Sequence, residues 1–211
     1  KLNEMRIEKR LTTGFRFTAA ITSIGAIAAI IVLLVISNRY TYALKNYGFS
    51  QGDIGKAMIM FTDIRSATRG IIGYNEEDIV STLEDQHTTN KQKFDNYWAI
   101  VQETLATKDE EALYQSIDSK LQNYWTIDDA VVELGNDISD ADSREQAQQK
   151  ANAELAPAYS EIYSLMVELM NLNVNEGNSL DNTLNVTVII LLIAVIIVLL
   201  VSFSISTKLG K

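Results

Sequence analysis

The sequence predicts an all-α fold: an antiparallel up-down-up-down four-helix bundle with two transmembrane helices. Three observations predict it. Two runs of about twenty residues, Phe17 to Ile36 and Val186 to Ile205, carry no charge at all, which is enough to cross a hydrocarbon core of roughly 30 Å as a helix. The segment between them repeats apolar residues at three-four spacing and nowhere alternates as a strand would. Breakers are scarce, with 1 Pro and 10 Gly in 211 residues, so helices can run long.

The first run, FTAAITSIGAIAAIIVLLVI, exceeds the 7–15-residue apolar region of a secretory signal, and no A-x-A cleavage site follows it. It reads as an uncleaved anchor. Lys1, Arg6, Lys9, Arg10 and Arg16 precede it, and Lys208 and Lys211 follow the second run. Between the runs only Arg39 and Lys45 lie near either membrane end. The positive-inside rule then puts both termini in the cytoplasm. The expected division is cytoplasm for 1–16, a first span over 17–36, an extracytoplasmic bundle over 37–185, a second span over 186–205 and cytoplasm again for 206–211, in an inner (plasma) membrane. Residues 38–185 hold 25 Asp and Glu against 11 Lys and Arg, a net of -14, so this block projects into solvent rather than lying on anionic lipid.

Within it, helix 1 continues from the first span through Ile54, Met58, Phe61, Ile64, Thr68, Ile71 and Ile72 to Gly73. Asn75 interrupts, and Glu76, Glu77 and Asp78 form the acidic first turn of helix 2. Its stripe is Ile79, Leu83, Phe94, Trp98, Val101 and Leu105. A break at Thr107-Lys108 precedes Asp109, Glu110 and Glu111, which open helix 3, with Leu113, Ile117, Leu121, Tyr124, Val131 and Leu134, ending near Gly135-Asn136. A polar stretch over 137–153 is expected to hold a short helix after an Asp142-Ser143 cap. Pro157 would sit in the first turn of helix 4, where it is tolerated. The last stripe is Tyr159, Ile162, Met166 and Leu169, leading through Asn173 and Leu180 into the second span.

Composition excludes several functions. With no Cys there are no disulfides or thiolate metal sites, and the single His87 rules out a multi-His site. The formal charge of -9 argues against nucleic acid as a partner. No phosphate loop, zinc motif or nucleophile with a base is present, and His87 has no visible triad partner, so neither an enzyme nor a cofactor is expected. Asn185-Val186-Thr187 matches a glycosylation sequon but straddles the membrane boundary. An internal repeat, Lys93-Phe94-Asp95-Asn96-Tyr97-Trp98 against Lys120-Leu121-Gln122-Asn123-Tyr124-Trp125, would bring two aromatic patches to one height in a hairpin. They serve as a packing layer or as an aromatic pocket.

Arg65 and Arg69 are four apart and share a helix face. Two forked cations there either grip a ligand carboxylate or pair with the bundle's own acids, such as Asp63 or Glu161. Tyr159, Ser160 and Tyr163, at the start of helix 4, face that level. The stretch Arg65-Ser66-Ala67-Thr68-Arg69 resembles the R-S-A-x-R stretch of aspartate and serine chemoreceptors, and Pro157-Ala158-Tyr159 with Leu169, Asn173 and Gly177 resembles their Pro-led last helix. The whole architecture resembles the sensory domain of methyl-accepting chemotaxis proteins. That resemblance implies a small anionic solute, such as a carboxylate, held by Arg65, Arg69, Tyr159, Ser160 and Tyr163 at a dimer interface. It implies a homodimer through helix 1, and Gly25 and Ala29 in the first span form a small-xxx-small pair suited to close contact. It further implies a linker and signalling domain beyond Lys211. The same input could instead serve a sensor kinase or a cyclic-nucleotide enzyme, or the bundle could be a structural membrane protein without a ligand.

Overall fold

The structure, a computed structural model, describes residues 7–210. Lys1, Arg6 and Lys211, on which the orientation partly rests, lie outside the described residues. Every regular element among those described is helical: α1 (Ile7–Ala43), α2 (Ser50–Gly73), α3 (Glu77–Glu103), α4 (Lys108–Asn136), α5 (Ala141–Lys150) and α6 (Ala156–Gly210), with π-helical segments at Leu44–Phe49 and Ala151–Leu155. The chain divides into two compact units, one of residues 1–43 with 178–211 and one of residues 44–177.

In the first unit, the most apolar windows of the two long helices have mean hydropathies of 2.8 and 3.4, and none of that surface is buried inside the protein. A helix in a soluble core would be mostly covered; here Ile24, Ile27, Ile193 and Leu200 are all exposed. Both helices are therefore long and apolar enough to cross a membrane. A Cβ added to Gly25 would lie 3.2 Å from Val198 Cγ1. Gly25 and Ala29 also line an apolar gap of about 240 Å³ with Ala194, Val195 and Val198. The small face expected to meet a second copy is thus turned toward the chain's own second span.

The second unit is the bundle. The chain enters and leaves at its base, by Leu44 and Gly177; the turns at 74–76 and 137–140 form its tip, and the turn at 104–107 returns to the base. Ile54, Phe61 and Ile64 of α2, Val101 of α3, Ile117 and Tyr124 of α4, and Ile162, Met166 and Leu169 of α6 are almost wholly buried. These residues follow the predicted stripes, because one apolar stripe per helix is what four amphipathic helices must bury against each other.

Four local expectations need correction. Helix 1 is not regular from the membrane outward: the π segment Leu44–Phe49 inserts one extra residue per turn, which shifts the phase of the stripe below Ser50. The helix before α6 is capped by Asp140, whose Oδ1 accepts from Asp142 N at 3.0 Å and Ser143 N at 3.1 Å; Asp142 and Ser143 are inside the first turn rather than the cap. Pro157 does not open the last helix. Residues 141–210 run as one helical rod through α5, the π segment Ala151–Leu155 and α6. Proline has no N–H and crowds the carbonyl four residues back, and the wider π turn just before it absorbs both effects. Finally, Met58 and Phe61 sit inside the protomer, at 8% and 0% exposure, so the apolar stripe of α2 is used up by its own bundle. The outward stripe of α2 is Gly52, Lys56, Ile59, Asp63, Ser66 and Arg69.

The tip is closed by a residue the sequence gave no reason to single out. Arg144 of α5 is buried; its Nη1 donates to Gly135 O at 2.9 Å and its Nη2 to Ile72 O at 3.1 Å and Tyr74 O at 2.6 Å. A cation there satisfies the orphan carbonyls at the ends of α2 and α4 and complements both helix dipoles. Gly135 permits the approach, since a Cβ there would meet Ile72 Cγ2 at 2.6 Å.

Candidate functional site

Around mid-height, one ring cluster fills the bundle. Phe61 stacks on Tyr159 at 4.9 Å and tilts against Tyr124 at 4.8 Å and Phe94 at 5.7 Å. Phe94 meets Trp125 edge-on at 5.5 Å, so the two copies of the aromatic repeat do face each other across α3 and α4. Toward the base, Trp98 stacks on Tyr114 at 4.5 Å, and burial pushes the Tyr114 hydroxyl up to about 12. Pairs in these geometries add to the hydrophobic gain of burying the rings.

Arg65 and Arg69 stand beside this cluster on α2. The Arg65 guanidinium lies 4.1 Å from the Tyr159 ring centroid, a cation–π distance. Tyr159 is fixed for that role: its hydroxyl and that of Thr62 are 3.0 Å apart, and its ring stacks on Tyr163 at 5.6 Å. Arg69, one turn farther toward the tip, is exposed. Among the described residues neither arginine has a carboxylate within ion-pair distance. Glu161, a candidate partner, is taken by Lys120 at 2.7 Å. The structure thus brings Arg65, Tyr159 and Tyr163 together and keeps Arg69 on the same helix. It does not bring in Ser160, which is exposed and donates to Ala156 O at 3.0 Å.

Just inside, Tyr124 is fully buried and its hydroxyl has no hydrogen-bond partner. Burial first, then the Asp128 carboxylate, hold that hydroxyl well above the usual phenol range, while Arg65 acts the other way. A family model described as a four helix bundle sensory module for signal transduction matches residues 4–188. The chain belongs to that family. Searches of curated proteins and of solved structures returned no match.

The sensory module also carries polar groups that sequence reading passed over. Asp128 of α4 is wholly buried, with Oδ1 accepting from the Thr68 hydroxyl of α2 at 2.7 Å and Oδ2 accepting from His87 Nε2 of α3 at 2.6 Å. One carboxylate thereby ties three helices at one level. At the base, Glu110 is equally buried and reaches back to Ala106 N at 2.8 Å and Thr107 N at 3.0 Å, while Thr107 Oγ1 accepts from Glu110 N. That reciprocal arrangement is a capping box. Two grooves open elsewhere on the bundle, one of about 890 Å³ between α4 and α5 around Gln146, Gln149 and Lys150, and one of about 380 Å³ at the base around Thr107, Lys108 and Tyr114. Neither includes Arg65, Arg69 or Tyr159.

Proposed function

We propose that this sensory module is the input of a transmembrane chemoreceptor. It would detect a small anionic solute outside the membrane and pass a helix displacement to a cytoplasmic signalling domain. One observation carries the reading most: two arginines on one face of α2 lack carboxylate partners, and one of them lies on Tyr159 of α6. A guanidinium pair suits a carboxylate through bidentate, charge-assisted bonds. A solute bridging α2 and α6 would act on both helices that continue into the apolar segments, and shifts of packed helices by about 1–2 Å are an ordinary means of switching.

The test begins with a thermal-shift screen of the full chain in detergent micelles, since a solute that binds only the folded state raises its melting temperature. Arg69→Ala should then weaken binding of the hit by about 10- to 150-fold, the equivalent of ~1.5–3 kcal/mol, with under ~1 kcal/mol lost in stability. Arg65→Ala should weaken both binding and stability, because Arg65 also covers Tyr159. Titration calorimetry separates these outcomes; equal affinity for wild type and Arg69→Ala sinks the site.

The receptor is further proposed to act as a homodimer through α2. The exposed stripe of that helix carries Ile59, 57% exposed, and ends on Arg69, so a solute held by Arg69 would sit where two copies meet. Ile59→Cys should cross-link two copies in membranes, and Met58→Cys, inside the core, should not. Absence of cross-linking at every outward position of α2 would defeat the dimer.

A further inference from the structure

The base of the bundle holds a buried contact that neither solute binding nor simple packing uses. Asn173 of α6 is 2% exposed, and its single Nδ2 donates twice: to Asn46 O in the π segment at 3.0 Å, and to Glu110 Oε1 on α4 at 3.0 Å. Both partners are acceptors, which fixes the orientation of the amide. Its Oδ1 is buried and has no hydrogen-bond partner. Glu110 spends its other oxygen on the amides of Ala106 and Thr107. On the same turn, Thr104 Oγ1 donates to Ser50 Oγ, the first residue of α2, at 2.9 Å. The α3–α4 turn therefore grips α2 through Thr104 and α6 through Glu110, while Asn173 joins α6 directly to the segment that leads into α2.

We propose that Glu110, Asn173 and the Asn46 carbonyl form a register lock, which holds α6 at one axial position against the start of α2 and gives the displacement two discrete positions. The lock rests on the receptor reading for its purpose and on these contacts for its existence. Two properties make it a lock rather than a brace. Both bonds leave one nitrogen, so an axial slide of α6 by about one residue rise of 1.5 Å misaligns them together. The unsatisfied Oδ1 disfavours the held position, so release is within reach of a modest force. The π segment supplies the receiving carbonyl, in keeping with the occurrence of π turns at sites that move.

One turn beyond Asn173, Gly177 reports the register. A Cβ added there would stand 3.1 Å from Tyr47 Cβ, close enough that the full chain carrying Tyr47→Cys and Gly177→Cys should form a disulfide readily in membrane vesicles under mild oxidant. In that background Asn173→Asp sets a carboxylate against Glu110 and the Asn46 carbonyl. It should slow disulfide formation roughly tenfold, the scale expected for losing a charge-assisted hydrogen bond. Asn173→Ala, which adds no repulsion, should slow it as well and keeps the test open if Asn173→Asp folds poorly. Adding Glu110→Gln to Asn173→Asp gives the new carboxylate a donor while the Gln oxygen still caps Ala106 and Thr107, and most of the rate should return. Unchanged rates in Asn173→Asp and Asn173→Ala, or a slowed rate that Glu110→Gln does not restore, overturn the lock. No solute enters this experiment. A wild-type rate that no solute alters would count against the receptor reading alone.

Discussion

Trp98→Ala is expected to cost the fold about 3–5 kcal/mol, the range for removing a buried aromatic side chain. Trp98 is 5% exposed and stacks on both Phe94, at 5.9 Å, and Tyr114, at 4.5 Å, each within 15° of parallel. Its indole N–H also reaches Asp118 Oδ1 at 3.4 Å. Removal leaves a cavity walled by rings that cannot collapse without breaking their own stacking. Trp125 is only half-buried, with Lys91 Nζ 4.9 Å from its ring centroid, so Trp125→Ala should cost clearly less, on the order of 1–3 kcal/mol. Urea unfolding of the full chain in micelles, followed by far-ultraviolet circular dichroism, compares the two. If Trp98→Ala kept its stability and lost the response to a solute, the ring cluster itself would be the binding site and the arginines would not.

The helices were legible because burial in a bundle imposes a single period. Each predicted stripe, such as Ile117, Leu121, Tyr124 and Val131 in α4, turned out to be core. Departures arose where the chain breaks that period for reasons a stripe does not encode. The π segments depend on tertiary fit, at Tyr47 against Gly177 and ahead of Pro157, and local sequence carries little trace of that fit. Arg144 was invisible because its partners are carbonyls from residues 9 and about 70 positions away, and carbonyls have no letter in a sequence. Asp128 and His87 did leave a signal. Asp128 falls in the apolar period between Tyr124 and Val131, and His87 lies seven residues from both Val80 and Phe94. Polar residues on two facing stripes are what a buried pair looks like before the structure is known. In the arginine site, spacing located Arg65 and Arg69 on one face, but it could not tell that Arg65 covers Tyr159 or that Ser160 turns to its own backbone.

That buried pair gives the other large expected effect. His87→Leu should destabilise the module by about 3–5 kcal/mol, because it leaves the Asp128 carboxylate in the core with only the Thr68 hydroxyl beside it. Asp128→Asn alone should be mild, on the order of 1 kcal/mol. The amide oxygen can still accept from Thr68, and the amide N–H can donate to His87 once the imidazole presents Nε2 as an acceptor. In the double variant, His87→Leu with Asp128→Asn, no buried charge is left, and most of the loss from His87→Leu should be recovered. The four proteins form a double-mutant cycle whose coupling energy reads the pair without assuming what either residue contributes singly. A His87→Leu chain as stable as wild type would mean that Asp128 is hydrated or neutral in the folded protein. If instead the double variant is no more stable than His87→Leu, the loss lies in packing around the imidazole and not in the stranded charge. The same measurement bears on signalling, since Thr68, His87 and Asp128 join α2, α3 and α4 at one level. A module in which α6 shifts needs the other three helices to hold still, and a carboxylate bonded to two of its neighbours fixes their mutual register more sharply than apolar contacts, which tolerate sliding.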